Sequence, residues 1–214
     1  MIHLYAFVRG LRSLPPCRGI AEEALELRSF EDVHAVVGSI DASVAESVDS
    51  AIAHGLVAQA LLKCAEAVLP ARFAKPFADD AALAAATTPR LRELRARLAG
   101  VSGCVELSVR IGASPVSMQV RSDGTSYLRA LAAATAERDL RIAETHGALA
   151  VHALDSRVEP LTRGSSLFRG AYLVRRTEVD AFAHEVDRLA ARFPDASIAC
   201  TGPWAPSSFA QEAA

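Results

Sequence analysis

The sequence predicts an α+β protein of two domains, 1–101 and 102–214, the second a ferredoxin-like βαββαβ unit and the first a related mixed unit. Three observations lead there. Apolar runs of strand length stand at both ends of the chain, at Ile2–Val8 and Ser197–Thr201. From Gly103 onward the periodicity changes in the order strand, helix, strand, strand, helix, strand. The first third reads in the same order with a shorter first helix, although the residues themselves show no convincing repeat.

Each element has its own signal. Ile2, Leu4, Ala6 and Val8 alternate with His3, Tyr5, Phe7 and Arg9, which reads as a strand covered on both faces and ended by Gly10. Leu14-Pro15-Pro16 opens a loop with room for one helical turn, and Ala24–Arg28 and Val33–Ile40 follow as short strands. Val57, Leu61, Cys64 and Val68 recur at helical spacing within a helix drawn from Ser47 to Leu69, stopped by Pro70, after which Ala71–Phe73 returns as a strand. Asp79-Asp80 opens an alanine-rich helix, and Thr88-Pro89 reads as a cap and first turn for a second one ending at Gly100.

Gly103–Ile111 is the cleanest strand, with Val105, Leu107, Val109 and Ile111 facing a core and Glu106, Ser108 and Arg110 facing water or a partner. The Ser-, Gly- and Pro-rich stretch 112–124 reads as a loop or irregular hairpin, and helical sequence in one or two pieces runs from Thr125 to Leu149. Ser156–Pro160 and Leu167–Val174 read as strands joined at Thr162–Ser165. Thr177 with Asp180 resembles a capping box before an apolar face of Val179, Phe182, Val186, Leu189 and Phe193. The final strand is Ser197–Thr201, broken by Gly202-Pro203. Beyond it a proline-stiffened tail carries Trp204 and Phe209 as an aromatic lid for the last domain or as a surface for a partner.

Composition narrows the function. The 214 residues carry a formal charge of −2 with both signs interspersed, which favours neither nucleic acid nor an anionic membrane. No apolar run is long enough to span a bilayer, and Met1–Val8 lacks the charged and apolar regions of a secretory signal, so a cytoplasmic protein is expected. Cys17, Cys64, Cys104 and Cys200 form no Cys-x-x-Cys pair and read as buried free thiols.

The patterns of known chemistry fail in turn. There is no phosphate loop, nucleophile elbow or EF-hand motif. His184-Glu185 would need a second histidine at 188, where Arg188 stands. His54 is a lone histidine, suited to a structural hydrogen bond or to a ligand role. Arg72, set among apolar neighbours in Leu69-Pro70-Ala71-Arg72-Phe73, can satisfy helix-end carbonyls, pair with a carboxylate or contact a partner.

Thr201-Gly202-Pro203-Trp204-Ala205-Pro206-Ser207-Ser208-Phe209 resembles the C-terminal Thr-Gly-Pro-Trp-Pro-Pro-Tyr-Ser-Phe signature of the gas vesicle protein F/L family (GvpF/GvpL). Other matches follow in order: Leu4–Val8; His54 with Val57, where Gly55 replaces the family's glutamate; and Val68–Phe73 with Phe77, where Ala74-Lys75 replaces Gly-Thr. Gly103 with Val105–Leu107, Tyr127-Leu128 and Ala171–Val174 complete the series. The resemblance implies a non-catalytic accessory or minor structural protein of gas vesicles, the hollow gas-filled shells that give cells buoyancy. It implies no cofactor or metal. The implied partner is the small, apolar main wall protein (GvpA-like), together with other gas vesicle accessory proteins. His54, Arg72, Phe73, Tyr172, Trp204 and Phe209 are the family-motif positions and candidate partner contacts. The rival reading is a ferredoxin-like small-molecule enzyme or ligand-binding regulatory module, which needs polar residues converging in a pocket; His146, His152 and Arg110 are its candidates.

Overall fold

The computed structural model describes residues 1–41, 47–73, 76–113, 124–160, 166–194 and 196–210. They divide into two compact units, Met1–Glu106 with Trp204–Ala214, and Leu107–Pro203.

The first unit is built on strands β1 (Ile2–Arg9), β2 (Leu25–Phe30), β3 (Val33–Ser39) and β4 (Ala67–Pro70), in the order β2-β3-β1-β4. All three pairings are antiparallel, with Val8 opposite His34 on one side and Val68 on the other. This is the ferredoxin-like order, but the first crossover holds a single 3-10 turn, Ile20–Glu22, in place of a helix. Helix α1 (Val48–Cys64) makes the second crossover and lies against β1 and β4. Two further helices, α2 (Asp80–Thr87) and α3 (Leu91–Gly100), follow, and α3 lies against β1, β3 and β4. With both helices against it, β1 is buried at every residue from Ile2 to Val8. Its register with β3 shifts between Leu4 and Ala6, so Tyr5 sits at a bulge that re-aims its side chain.

The second unit repeats the order as β6-β7-β5-β8, with β5 (Cys104–Ala113), β6 (Asp155–Pro160), β7 (Ser166–Arg175) and β8 (Ala196–Trp204). Its crossovers are α4 (Gly124–Ala150) and α5 (Val179–Arg192). The core joins Leu107, Val109 and Ile111 of β5 to Phe168 and Tyr172 of β7 and to Phe182, Val186 and Leu189 of α5.

Several expectations are corrected. The long helix ends at Cys64, and the strand expected at Ala71–Phe73 lies earlier, at Ala67–Pro70. Val68 fits a helical period equally well, but the buried edge of β1 away from β3 needs partners, and Ala67–Pro70 supply them opposite Arg9–Ala6. Thr88 is no N-cap: it ends α2, and Thr88–Arg90 form a 3-10 turn with Pro89 inside it. Nor does Thr177 cap α5, because Arg176–Glu178 is a third such turn and no side chain caps the helix. Helical sequence from 124 to 150 is one 27-residue helix.

The last strand does not stop at Thr201 but runs through Gly202-Pro203 to Trp204. Residues 102–214 are accordingly not one unit, since the tail from Trp204 belongs with the first. Glu106, expected to face outward, is buried. Only Cys104 of the four free cysteines is fully buried. The turn at 162–165 and nearly all of the 112–124 loop lie outside the described residues.

Candidate functional site

Five of the six candidate positions lie in the first unit, and two of them, His54 and Phe73, meet. His54 enters from α1, where it is the buried polar residue among Val57, Ala58 and Leu61. Its Nδ1 is 2.9 Å from His3 Nε2, and its Nε2 is 3.0 Å from the Ala71 carbonyl. A carbonyl only accepts, so His54 donates from Nε2, and its Nδ1 accepts from His3 when both rings are neutral. Tyr5 stacks on His54 with centroids 5.5 Å apart, and Phe73 meets it edge-on at 5.7 Å. Burial, together with the neighbouring His54, pulls His3 down to about 4. Burial lowers His54 as well, against the opposing pull of its bond to Ala71. The pair is therefore neutral at pH 7.

Tyr5 extends this cluster toward the 3-10 turn. Its hydroxyl accepts from Ile20 N at 2.7 Å and donates to Glu23 Oε1. Burial and the Glu23 bond push the phenol well above its ordinary range, and burial raises Glu23. A Cβ on Gly38 would come within 2.2 Å of Glu23 Oε1, and one on Gly19 within 2.3 Å of the Tyr5 hydroxyl. Those two glycines give the tyrosine–carboxyl pair its space. Sequence reasoning missed His3, Tyr5 and Glu23; the signal was two polar rings alternating inside a strand read as doubly covered.

The cluster fixes the segment that carries Arg72. Ala71 N donates to Tyr5 O at 2.9 Å, and Phe77 exchanges two backbone bonds of 2.8 Å with Ile2. Between these anchors Arg72 is exposed. Among the described residues it caps no helix and pairs with no carboxylate.

The tail is held by a second device. Glu106 accepts from Ser208 N at 2.8 Å and from Ser208 Oγ at 2.7 Å, while Arg97 donates to the Phe209 carbonyl at 3.3 Å. Phe209 is buried, whereas Trp204 is 46% exposed. Tyr172 lies in that second unit, fully buried against Phe182, its hydroxyl 3.2 Å from His146 Nδ1. Of the other polar candidates, Arg110 is exposed and His152 half-buried. His184 donates to the Asp180 carbonyl, and Glu185 pairs with Arg188. No group of three or more metal-ligating side chains occurs among the described residues.

Two helices expose apolar faces. In α4, Ile142, Thr145 and Leu149 point into the core, and the same side of the helix, past Arg138 and Thr135, carries Leu131, Leu128 and Tyr127 toward the N-terminus. There it is uncovered, with Leu128 64% exposed. In α1, the face away from the sheet carries Val48, Ile52 and Leu56, all exposed.

Comparison with known proteins agrees with this architecture. A family model described as "Gas vesicle synthesis protein GvpL/GvpF" matches residues 1–211. Gas vesicle protein F2 of Halobacterium salinarum is 30% identical over 85% of this chain and 77% of its own. Gas vesicle protein F of Haloferax mediterranei is 28% identical over 84% and 78%. The crystal structure of GvpF from Anabaena sp. superposes with a TM-score of 0.84 at 16% identity, covering 98% of this chain and 95% of that one. GvpF from Microcystis aeruginosa gives 0.82 at 17%, covering 98% of each.

Proposed function

Because this chain belongs to the gas vesicle synthesis protein GvpL/GvpF family, we propose that it binds the apolar main wall protein, limits its aggregation and assists nucleation of the vesicle. A role in gas vesicles follows from the family itself. The finer reading rests on one observation: near its N-terminal end, α4 carries an uncovered apolar surface at Tyr127, Leu128 and Leu131 on the side that further along faces the core. A wall subunit with one face intended for gas exposes apolar surface before assembly and aggregates in water. An apolar helix face on a soluble carrier covers such a surface in the helix-in-groove manner.

Under this reading the six family-motif positions divide by exposure. Arg72 and Trp204 are the contacts a partner can reach, alongside α4. His54, Tyr172 and Phe209 are buried and Phe73 is half-buried, and these four hold those contacts in place. The protein acts in the cytoplasm on the wall protein and beside other gas vesicle accessory proteins. No helix of the described residues is long and apolar enough to cross a membrane.

The test is co-expression of the wall protein with and without this chain, followed by assay of soluble wall protein and pulldown. The chain raises the soluble fraction and retains the wall protein, and the Leu128→Glu/Leu131→Glu variant loses both effects. If the native chain changes neither quantity, the proposal is wrong. If the double variant behaves as native, α4 is not the surface.

A further inference from the structure

The exposed face of α1 has a pattern that the wall-protein reading does not use. Val48 is 76%, Ile52 55% and Leu56 63% exposed, and Ala51 and Gly55 lie between them on the same side. A Cβ built on Gly55 meets nothing within 4 Å, so another backbone can approach closely there. The only formally charged residues of the helix are Asp49 and Lys63. They stand seven residues before and seven after Leu56, about 10 Å to either side along the axis. Arg12 adds a second cation at the Lys63 end, where its Nη2 donates to the Lys63 carbonyl at 3.0 Å. Acid at one end, base at the other and an uncharged apolar centre make a face that is complementary to itself when reversed.

We infer that this face pairs with α1 of a second copy of the chain, antiparallel about a two-fold axis at Leu56. Asp49 of each copy then faces the Lys63 and Arg12 end of the other, so both charged ends are matched at once. The opposed helix dipoles act in the same sense. Any other apolar partner would satisfy the centre of the face, but the two charged ends equidistant from Leu56 select a reversed copy. A 17-residue helix is about 25 Å long, so its face is smaller than that of a standard protein interface. The dimer is therefore reversible, its population set by protomer concentration.

Sedimentation of the full chain from about 5 to about 500 µM reads this out directly. The native protein passes from monomer to dimer over that range, and Leu56→Glu stays monomeric. Asp49→Lys weakens the dimer about tenfold by placing like charges at both ends. The exchange variant Asp49→Lys/Lys63→Asp restores most of the loss. Circular dichroism confirms that each variant is folded, since all these side chains are on the surface. A native chain that is monomeric throughout overturns the inference, and so does an exchange variant no better than the single one. If the native chain is monomeric while Leu56→Glu abolishes wall-protein capture, the face belongs to the wall protein and the dimer is wrong. Loss of dimerisation with capture intact separates this inference from the proposed function.

Discussion

The two units share one strand order and differ in what they place against the sheet. In the second, a 27-residue helix makes the first crossover, and the sheet is packed by Leu, Val, Ile and Phe with one buried tyrosine hydrogen-bonded to a histidine. In the first, a 3-10 turn stands at the same point of the chain. A turn that short brings no apolar stripe of its own. The strand β1 then has to hold it by polar means, through Tyr5 to Ile20 and Glu23, with the His3–His54 pair behind. Topology leaves the chemistry of the core open, and the length of one crossover decides it.

The sharpest way to break the comparison is to remove one oxygen from each unit. Tyr5→Phe leaves the buried Glu23 carboxyl and the Ile20 N–H without their partner, so it costs about 2–3 kcal/mol. Tyr172→Phe removes one hydrogen bond of 3.2 Å to a half-buried histidine and costs about 1 kcal/mol. Urea titration of both variants gives the difference. Equal losses would mean that the first unit's polar cluster is no more cooperative than a single buried bond.

Acid separates the units more gently. His3 titrates near 4 in the folded protein against 6.5 unfolded, and His54 is lowered too. Between those values the unfolded chain binds more protons than the folded one, so falling pH favours unfolding. The stabilisation is complete above about pH 6.5 and is lost as the pH falls through about 4. Among the described residues, the groups in contact with the pair are the Tyr5 and Phe73 rings and the Ala71 carbonyl, and the Glu23 carboxyl is turned to Tyr5. A His3→Asn/His54→Asn variant should lose most of the slope of unfolding free energy against pH in this window. Its retention would assign the slope to other groups.

This difference explains what the sequence made legible. Binary pattern and turn residues report which faces are covered, so every strand but β4, the α4 and α5 helices and the repeated order could be read directly. Val68 was misplaced because an apolar residue near a helix end fits both periods, and only the needs of β1 across the sheet decide between them. Thr88 and Thr177 carried cap chemistry at places where a 3-10 turn took the first helical turn. His54 was visible as a position, but its partners His3 and Ala71 are 51 and 17 residues away, and no local signal connects them. Glu106 was read as outward because its partner Ser208 lies 102 residues on.

The smallest effect concerns the two helical glycines, and it tests how the helices are used. Neither Gly55 in α1 nor Gly147 in α4 has an atom within 4 Å of a Cβ built on it. Each replacement by alanine therefore raises monomer stability by about 0.5–1 kcal/mol through helix propensity alone. The two substitutions should be indistinguishable in urea at low protein concentration. They should diverge at high concentration, because a methyl at Gly55 stands in the middle of the face assigned to a second copy and a methyl at Gly147 does not. Gly55→Ala then weakens self-association while Gly147→Ala leaves it unchanged. Identical behaviour of the two at every concentration would make α1, like the last turns of α4, a helix whose outer side meets only water.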